Sequence, residues 1–392
     1  MICQVRSIAN ITLNLCARAL LNLMCTEQNL TFMTEGSIIR CFSSICTSNC
    51  FESTKHSCAL AFLVFSSYPS GRMKLCKRIY DLQGLFSIIN VKSEKTQIVI
   101  AKAACNMLLD ENTRYVAIHA NAITVLTIAA TLDIPVIIEI VTEILICLAE
   151  DQRACVFLSK APVVDILVYF LCNCTDWNFE CAIQAAATFA SVPIFRSLMI
   201  DKNIVSTILS ATMKRKIVDE FTSQAAACCL SYLSFSFMES GRERLVFDNH
   251  AILLLHAIDK KVQPTVRLVS MFAIILRNLS SEPKVVSAII EQRGPKLLLK
   301  GMNSVDYNQS FVLCQAACVF MENIAKHKSH HERLMEEGDL MAVLLLVASA
   351  VSSQSDTRDR TFIHSFLIYS TFIGLLSLIS LYFLYFQRVL IS

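Results

Sequence analysis

Apolar positions recur three and four residues apart along nearly the whole chain, the spacing that gives a helix one buried stripe. The pattern is fullest from Ser270 to Leu298. There SMFAIILRNLSS reads as a helix of small and apolar residues, EPKVVSAIIEQ as a shorter amphipathic helix, and RGPKLL as the opening of a third. Pro283 and the pair Gly294-Pro295 divide these elements, because proline lacks an N–H and clashes with the preceding turn, while glycine tolerates a positive φ.

The other segments are degraded copies of this one. With Asn278 as marker, the equivalent positions are Asn22, Val64, Met107, Cys147, Thr188, Tyr232 and Asn323, at intervals of 42, 43, 40, 41, 44, 46 and 45 residues. That period belongs to three-helix repeat arrays. Pro69, Pro193 and Pro283 each follow a marker by five residues, where the marked helix should stop. Pro135 and Pro264 precede a marker at a helix start, and Pro162 and Pro295 fall at the turn between the next two helices. Gly36, Gly84, Gly294 and Gly338 are expected at that same turn. Apolar residues follow it, at Ile38, Leu85, Ile123, Val163, Ile204, Ile252, Leu297 and Leu340. Together these would form a continuous core.

Composition agrees with stacked helices. The 392 residues exceed one ordinary core, and 54% hydrophobic against 17% charged residues means helices covered on more than one face. Glycine is scarce, and neither GxGxxG nor GxxxxGK[ST] occurs, so the loops that cradle phosphate are absent. A net charge of +3 is too small to supply a phosphate-neutralising face, so nucleic acid is not an expected partner. The 18 cysteines sit mostly in helical apolar runs, where they act as small hydrophobes, and reduced thiols are expected. The apolar start of the chain is interrupted by Arg6 and Arg18 and reads as a repeat helix rather than a leader.

Candidate chemistry is sparse. Cys41, Cys46, Cys50, His56 and Cys58 could supply metal ligands but lack the CxxC knuckle, and His327, His330, His331 and Glu332 fall in an interhelix loop, so no metal site is assigned. Lys214-Arg215-Lys216 and Arg72, Lys74, Lys77 and Arg78 form short basic patches that read as solvated surface, with anionic lipid headgroups as the functional alternative. No histidine and carboxylate can be placed beside a serine or cysteine, so no catalysis, cofactor or small-molecule substrate is expected.

The segments CARALLNLM, AKAACNMLL, QAAACCLSYLS, MFAIILRNLSS and QAACVFMENIA resemble the third helix of armadillo repeats, with paired small residues and then Leu-x-Asn-Leu-Ser. EGSIIRCF and EQRGPKLL resemble the turn of that family. The resemblance covers roughly residues 1 to 351 and implies an all-α, right-handed α-solenoid of about eight armadillo-like repeats. It further implies a concave groove lined by third helices, whose asparagines would hold the backbone of an extended peptide. Only Asn22, Asn278 and Asn323 carry that residue over. The positions of the tryptophan row of importin alpha fall at Arg18, Leu60, Ala103, Glu143, Gln184, Cys228, Ile274 and Val319, so neither a nuclear-import groove nor a beta-catenin-like basic groove is implied. Arg277 and Glu322, each just before a marker, would add polar edges to the contact.

The array begins with a third helix and finishes with a first-and-second pair, neither a polar cap, which leads to the expectation of further repeats upstream, the alternative being that something else covers the ends. Residues 352–361 read as a polar linker. Residues 362–386 then form an apolar stretch, free of Asp, Glu, Lys and Arg from Phe362 to Tyr385 and long enough to span about 30 Å of hydrocarbon. Phe362 and Phe366 mark one end of it, Leu375 the middle, and Tyr382 and Tyr385 the other end. Residues 387–392 are a short tail. Arg358 and Arg360 before the span and Arg388 after it place the solenoid weakly in cytosol. The function expected from all this is a non-catalytic, tail-anchored adaptor that binds protein partners. The alternative is a soluble structural component of a larger assembly.

Overall fold

The computed structural model describes residues 2–24, 29, 37–132, 134–173, 176–215, 219–235, 250–306 and 310–327. The expected span, with Phe362, Phe366, Leu375, Tyr382 and Tyr385, lies outside them, as do Gly36, Gly338, His330 and His331. Among the described residues no single helix is long and apolar enough to cross a membrane.

All regular structure among the described residues is helical. In chain order the α-helices are α1 (Ile2–Leu23), α2 (Ser37–Thr47), α3 (Glu52–Ser67), α4 (Pro69–Leu75), α5 (Ile79–Phe86), α6 (Glu94–Leu109), α7 (Glu111–His119), α8 (Ala122–Ala130), α9 (Pro135–Glu150) and α10 (Gln152–Leu158). They continue as α11 (Val163–Asn173), α12 (Asp176–Ser191), α13 (Pro193–Asp201), α14 (Ile204–Lys214), α15 (Glu220–Ser234), α16 (His250–Lys261), α17 (Val266–Ser280), α18 (Pro283–Glu291), α19 (Gly294–Asn303) and α20 (Phe311–Ala325). The chain forms two compact units, Met1–Thr188 and Phe189–Ser392.

Within each unit like stacks on like. In the first, third helices pack in series, α1 on α3, α3 on α6 and α6 on α9, while the second helices α2 and α5 pack together. In the second unit α15 packs on α17, α17 on α20, and α14 on α16. Small residues let the third helices approach closely: Ala59, Ala61, Ala103, Ala104, Ala226, Ala227, Ala273, Ala316 and Ala317 are all buried. Between them sit large side chains such as Phe62, Phe65, Phe272 and Phe320, each adding about 1.5–3 kcal/mol by leaving water. Of the apolar residues expected after the turn, Leu85, Ile123, Val163, Ile204, Ile252 and Leu297 are core.

The prolines fall where expected. Pro69, Pro193, Pro283 and Pro135 open α4, α13, α18 and α9, each at a first-turn position where the missing N–H costs nothing. The glycine expectation needs correction. Gly84 lies inside α5, and a Cβ there would run into Ser43 Oγ on α2, so this glycine answers to helix contact and not to a turn. The left-handed residue at the corner is instead Asn121 (φ 73°), Asn203 (φ 53°) or Arg293 (φ 58°). Asparagine tolerates that region, and at the third corner Gly294 follows Arg293.

Candidate functional site

The third helices of each unit leave one face uncovered. On α17 the row Arg267, Met271, Ile274, Asn278 and Ser281 is half-buried or exposed, while the opposite stripe of Leu268, Phe272, Ile275, Leu276 and Leu279 is core. The same row on α15 carries Phe221, Tyr232 and Phe235, and on α20 Val312, Val319, Asn323 and Lys326. Phe221 is 54% exposed and Phe235 45%, large apolar areas left open on this face.

The helix starts fix the register. Phe51, Ser93, Ile134, Asp219, Thr265 and Ser310 are the N-cap residues of α3, α6, α9, α15, α17 and α20, and each precedes its marker by thirteen residues once Asn106 replaces Met107. Met107 is core, like Leu279 after Asn278, while Asn106 is half-buried like Asn278 itself. The marker in this repeat is therefore Asn106, and the position four residues earlier is Lys102 rather than Ala103.

These asparagines are held by the preceding repeat. Asn106 Nδ2 donates to Ser66 Oγ at 3.1 Å, Asn278 Nδ2 to Ser234 Oγ at 2.9 Å, and Asn323 Nδ2 to Ser280 Oγ at 3.2 Å. Each serine lies two residues past the previous marker and donates in turn to a carbonyl of its own helix, at Leu63, Ser231 or Arg277. Where the next repeat lacks the asparagine, at Val64, Cys147, Thr188 and Tyr232, the preceding residue is Met24, Leu108, Ala149 or Ala190. Asparagine and serine thus occur together or not at all, as expected of two half-buried groups that satisfy each other.

The opposite ends of the same helices are joined too. His56 Nδ1 meets Thr96 Oγ1 at 3.1 Å between α3 and α6, and Ser270 Oγ meets Ser310 Oγ at 3.1 Å between α17 and α20.

A second recurring device sits at the third-helix C-termini. Arg114 donates through Nε to Leu108 O at 2.9 Å and through Nη1 to Asp151 Oδ2 at 2.9 Å, and Asp151 caps α10 by accepting from the amides of Arg153 and Ala154. Arg72 does the same with Ser66 O and Asp110 Oδ2, at 2.9 and 2.7 Å, and Asp110 caps α7. Arg196 donates to Ala190 O and Ser191 O, both at 2.9 Å. A cation on helix-end carbonyls and an anion on helix-start amides both suit the backbone dipole. Burial pushes the Asp151 carboxyl up, but the hydrogen bonds from Tyr115 and Arg114 outweigh it and hold it at about 2. Arg72 is accordingly part of a nearly buried ion pair and not of a solvated basic patch.

Of the residues singled out by sequence, Asn278, Arg277, Asn323 and Glu322 come together on adjacent helices of the second unit. Arg277 donates from Nε (3.2 Å) and Nη2 (3.1 Å) to Asn278 Oδ1 and lies over the Phe235 ring, 5.7 Å from its centre. Burial lowers its pKa. Glu322 pairs with Lys326 at 3.0 Å. Asn22 is exposed on α1, in the other unit. Among the described residues no group of three or more His, Cys, Asp or Glu could hold a metal ion. Sequence reading missed Asn106 and the exposed phenylalanines. The coupled serine, two residues past each preceding marker, was the signal that could have found Asn106.

No protein family matches the chain by sequence, and no curated protein matches it either. Solved structures do. One, from work on a phosphorylation switch that controls the interaction between cadherin and beta-catenin, aligns over 83% of this chain and 65% of its own at 16% identity and a TM-score of 0.61. An engineered protein aligns over 93% and 94% at 16% identity and a TM-score of 0.50, and a designed armadillo repeat protein over 56% and 92% at 16% identity and 0.43. The protein is an α-solenoid. Its fold is armadillo-like.

Proposed function

We propose that this chain is a non-catalytic interaction scaffold that binds an extended segment of a protein partner across the uncovered row of its third helices. One observation carries the reading: repeat after repeat leaves the same row open, and in the second unit that row holds exposed Phe221 and Phe235 beside the polar groups of α17 and α20. Asn278, Asn323, Arg277 and Glu322 are the proposed contacts there, with Asn22 the equivalent position on α1. The test is co-precipitation of partners from the native cell with the full-length chain. Phe221→Glu and Ile274→Glu should abolish recovery of the same proteins that Met213→Glu, at a 66% exposed site off the row, leaves bound. Equal recovery by all three variants would end the reading.

The proposal extends to a tether. The uncharged run from Phe362 to Tyr385 has the length and aromatic ends of a membrane span, with the solenoid facing cytosol. Alkaline carbonate extraction checks this: the full-length chain should stay with the membranes and a chain ending at residue 356 should not. Release of both would remove the tether and leave the scaffold.

A further inference from the structure

Building on the scaffold reading, we infer that Arg277 is the anchor for an acidic side chain, Asp or Glu, in the extended segment that lies across α15, α17 and α20. Arg277 is half-buried beside the row, and no carboxylate among the described residues pairs with it. Withdrawing a guanidinium from water is unfavourable unless its donors are satisfied and its charge is met. Here an amide oxygen and an aromatic ring do only part of that work, and Nη1 is left for a ligand.

The fork is also held in advance. Asn278 Oδ1 grips it, Asn278 Nδ2 is fixed by Ser234 Oγ, and Ser234 is fixed by Ser231 O at 2.6 Å. A donor set already oriented loses little freedom on binding, and the far end of the guanidinium, Nη1 with the second N–H of Nη2, matches a carboxylate with two parallel hydrogen bonds.

Charge favours an acidic occupant over a basic one. The sequence of α17, VRLVSMFAIILRNLS, contains two arginines and no acid, and Arg267 is exposed at the far end of the row. The acids on the flanking helices are engaged elsewhere. Glu220 accepts from Gln224 at 2.8 Å, and Glu322, at the position equivalent to Arg277, is paired with Lys326.

The test overlays the full-length chain on immobilised synthetic peptides with randomised flanks and a fixed central Glu, Gln, Lys or phosphoserine. A charge-assisted contact of this kind should favour Glu over Gln by about tenfold. Arg277→Gln should abolish the preference. Arg277→Lys keeps the charge without the fork and should retain only part of it. Circular dichroism melting checks that each variant folds, and the Lys variant carries the comparison if the Gln variant does not.

Equal binding of Glu and Gln pools, or a preference that survives Arg277→Gln, overturns the anchor. If Phe221→Glu still removes that binding, the scaffold stands without the anchor. Retention of the phosphoserine pool alone overturns the assignment to a carboxylate. Failure of every pool to bind the unaltered chain overturns the anchor together with peptide recognition by the row.

Discussion

The pairing of Asn278 with Ser234 separates two roles that one asparagine could play, joining repeats or touching a partner. Ser234→Ala removes the acceptor at 2.9 Å and the serine's own bond to Ser231 O, a loss of about 1–2 kcal/mol for two neutral hydrogen bonds. Asn278→Ala removes the same contact and also the oxygen that holds Arg277. Since that oxygen accepts from a charged group, about 2–3 kcal/mol is expected. The double variant should be less destabilised than the sum by about 1 kcal/mol, the shared bond being lost once. Repeat arrays need not unfold in one step, so amide hydrogen exchange along α15 and α17 in the full-length chain is a better assay than a single melting point. Both single variants should raise exchange there and leave α3 and α6 unchanged. Partner recovery should fall with Asn278→Ala and fall much less with Ser234→Ala, because the serine lies behind the asparagine and reaches the Arg277 fork only through it. Additive destabilisation would refute the joint, and equal loss of partner in both variants would refute the separation of roles.

Other consequences are open to simple measurement. Thr188→Asn together with Ala149→Ser should install the missing joint between α9 and α12 and raise stability by about 1 kcal/mol in urea unfolding, with neither change alone doing so. Gly84→Ala should destabilise by about 0.5–1.5 kcal/mol by forcing Ser43 Oγ off its rotamer, and Ser43→Ala should rescue it, since the serine Cβ stands 3.4 Å from the added carbon. Asp151 titrates in the fold at about 2 rather than its ordinary 3.8, so the stability it adds is present above pH 3.8 and lost as pH falls through 2. That contribution is about 2 kcal/mol at neutral pH, and acid unfolding of Asp151→Asn should lack it.

What could be read from the sequence was whatever repeats with strong punctuation. Proline acts locally, so Pro69, Pro193 and Pro283 located the ends of the marked helices without reference to neighbours, and each proves also to open the next helix. Glycine was a poorer guide. A buried helical glycine such as Gly84 reports how closely another helix passes, which depends on tertiary packing that periodicity does not encode. The slip at Met107 has the same origin. Asn106 and Met107 are adjacent, both suit a helix, and only the N-cap at Ser93 and the bond to Ser66 decide which of them faces the row.

The same reasoning changes what a marker asparagine signifies. Had the three been kept for ligand alone, the residue behind each would be free to vary, and Ser, Leu, Ala and Met would fall there without regard to the next helix. Instead Ser66, Ser234 and Ser280 stand behind asparagines, and Met24, Leu108, Ala149 and Ala190 stand behind Val64, Cys147, Thr188 and Tyr232. A half-buried amide needs its partner whether or not a ligand is bound, and a buried serine hydroxyl opposite an apolar residue would be a net loss. Joining repeats therefore accounts for where the asparagines occur, whatever else they touch, and the groups it leaves unsatisfied on the same face stand first for recognition. On α17 that is the Arg277 fork, and on α15 the exposed rings of Phe221 and Phe235.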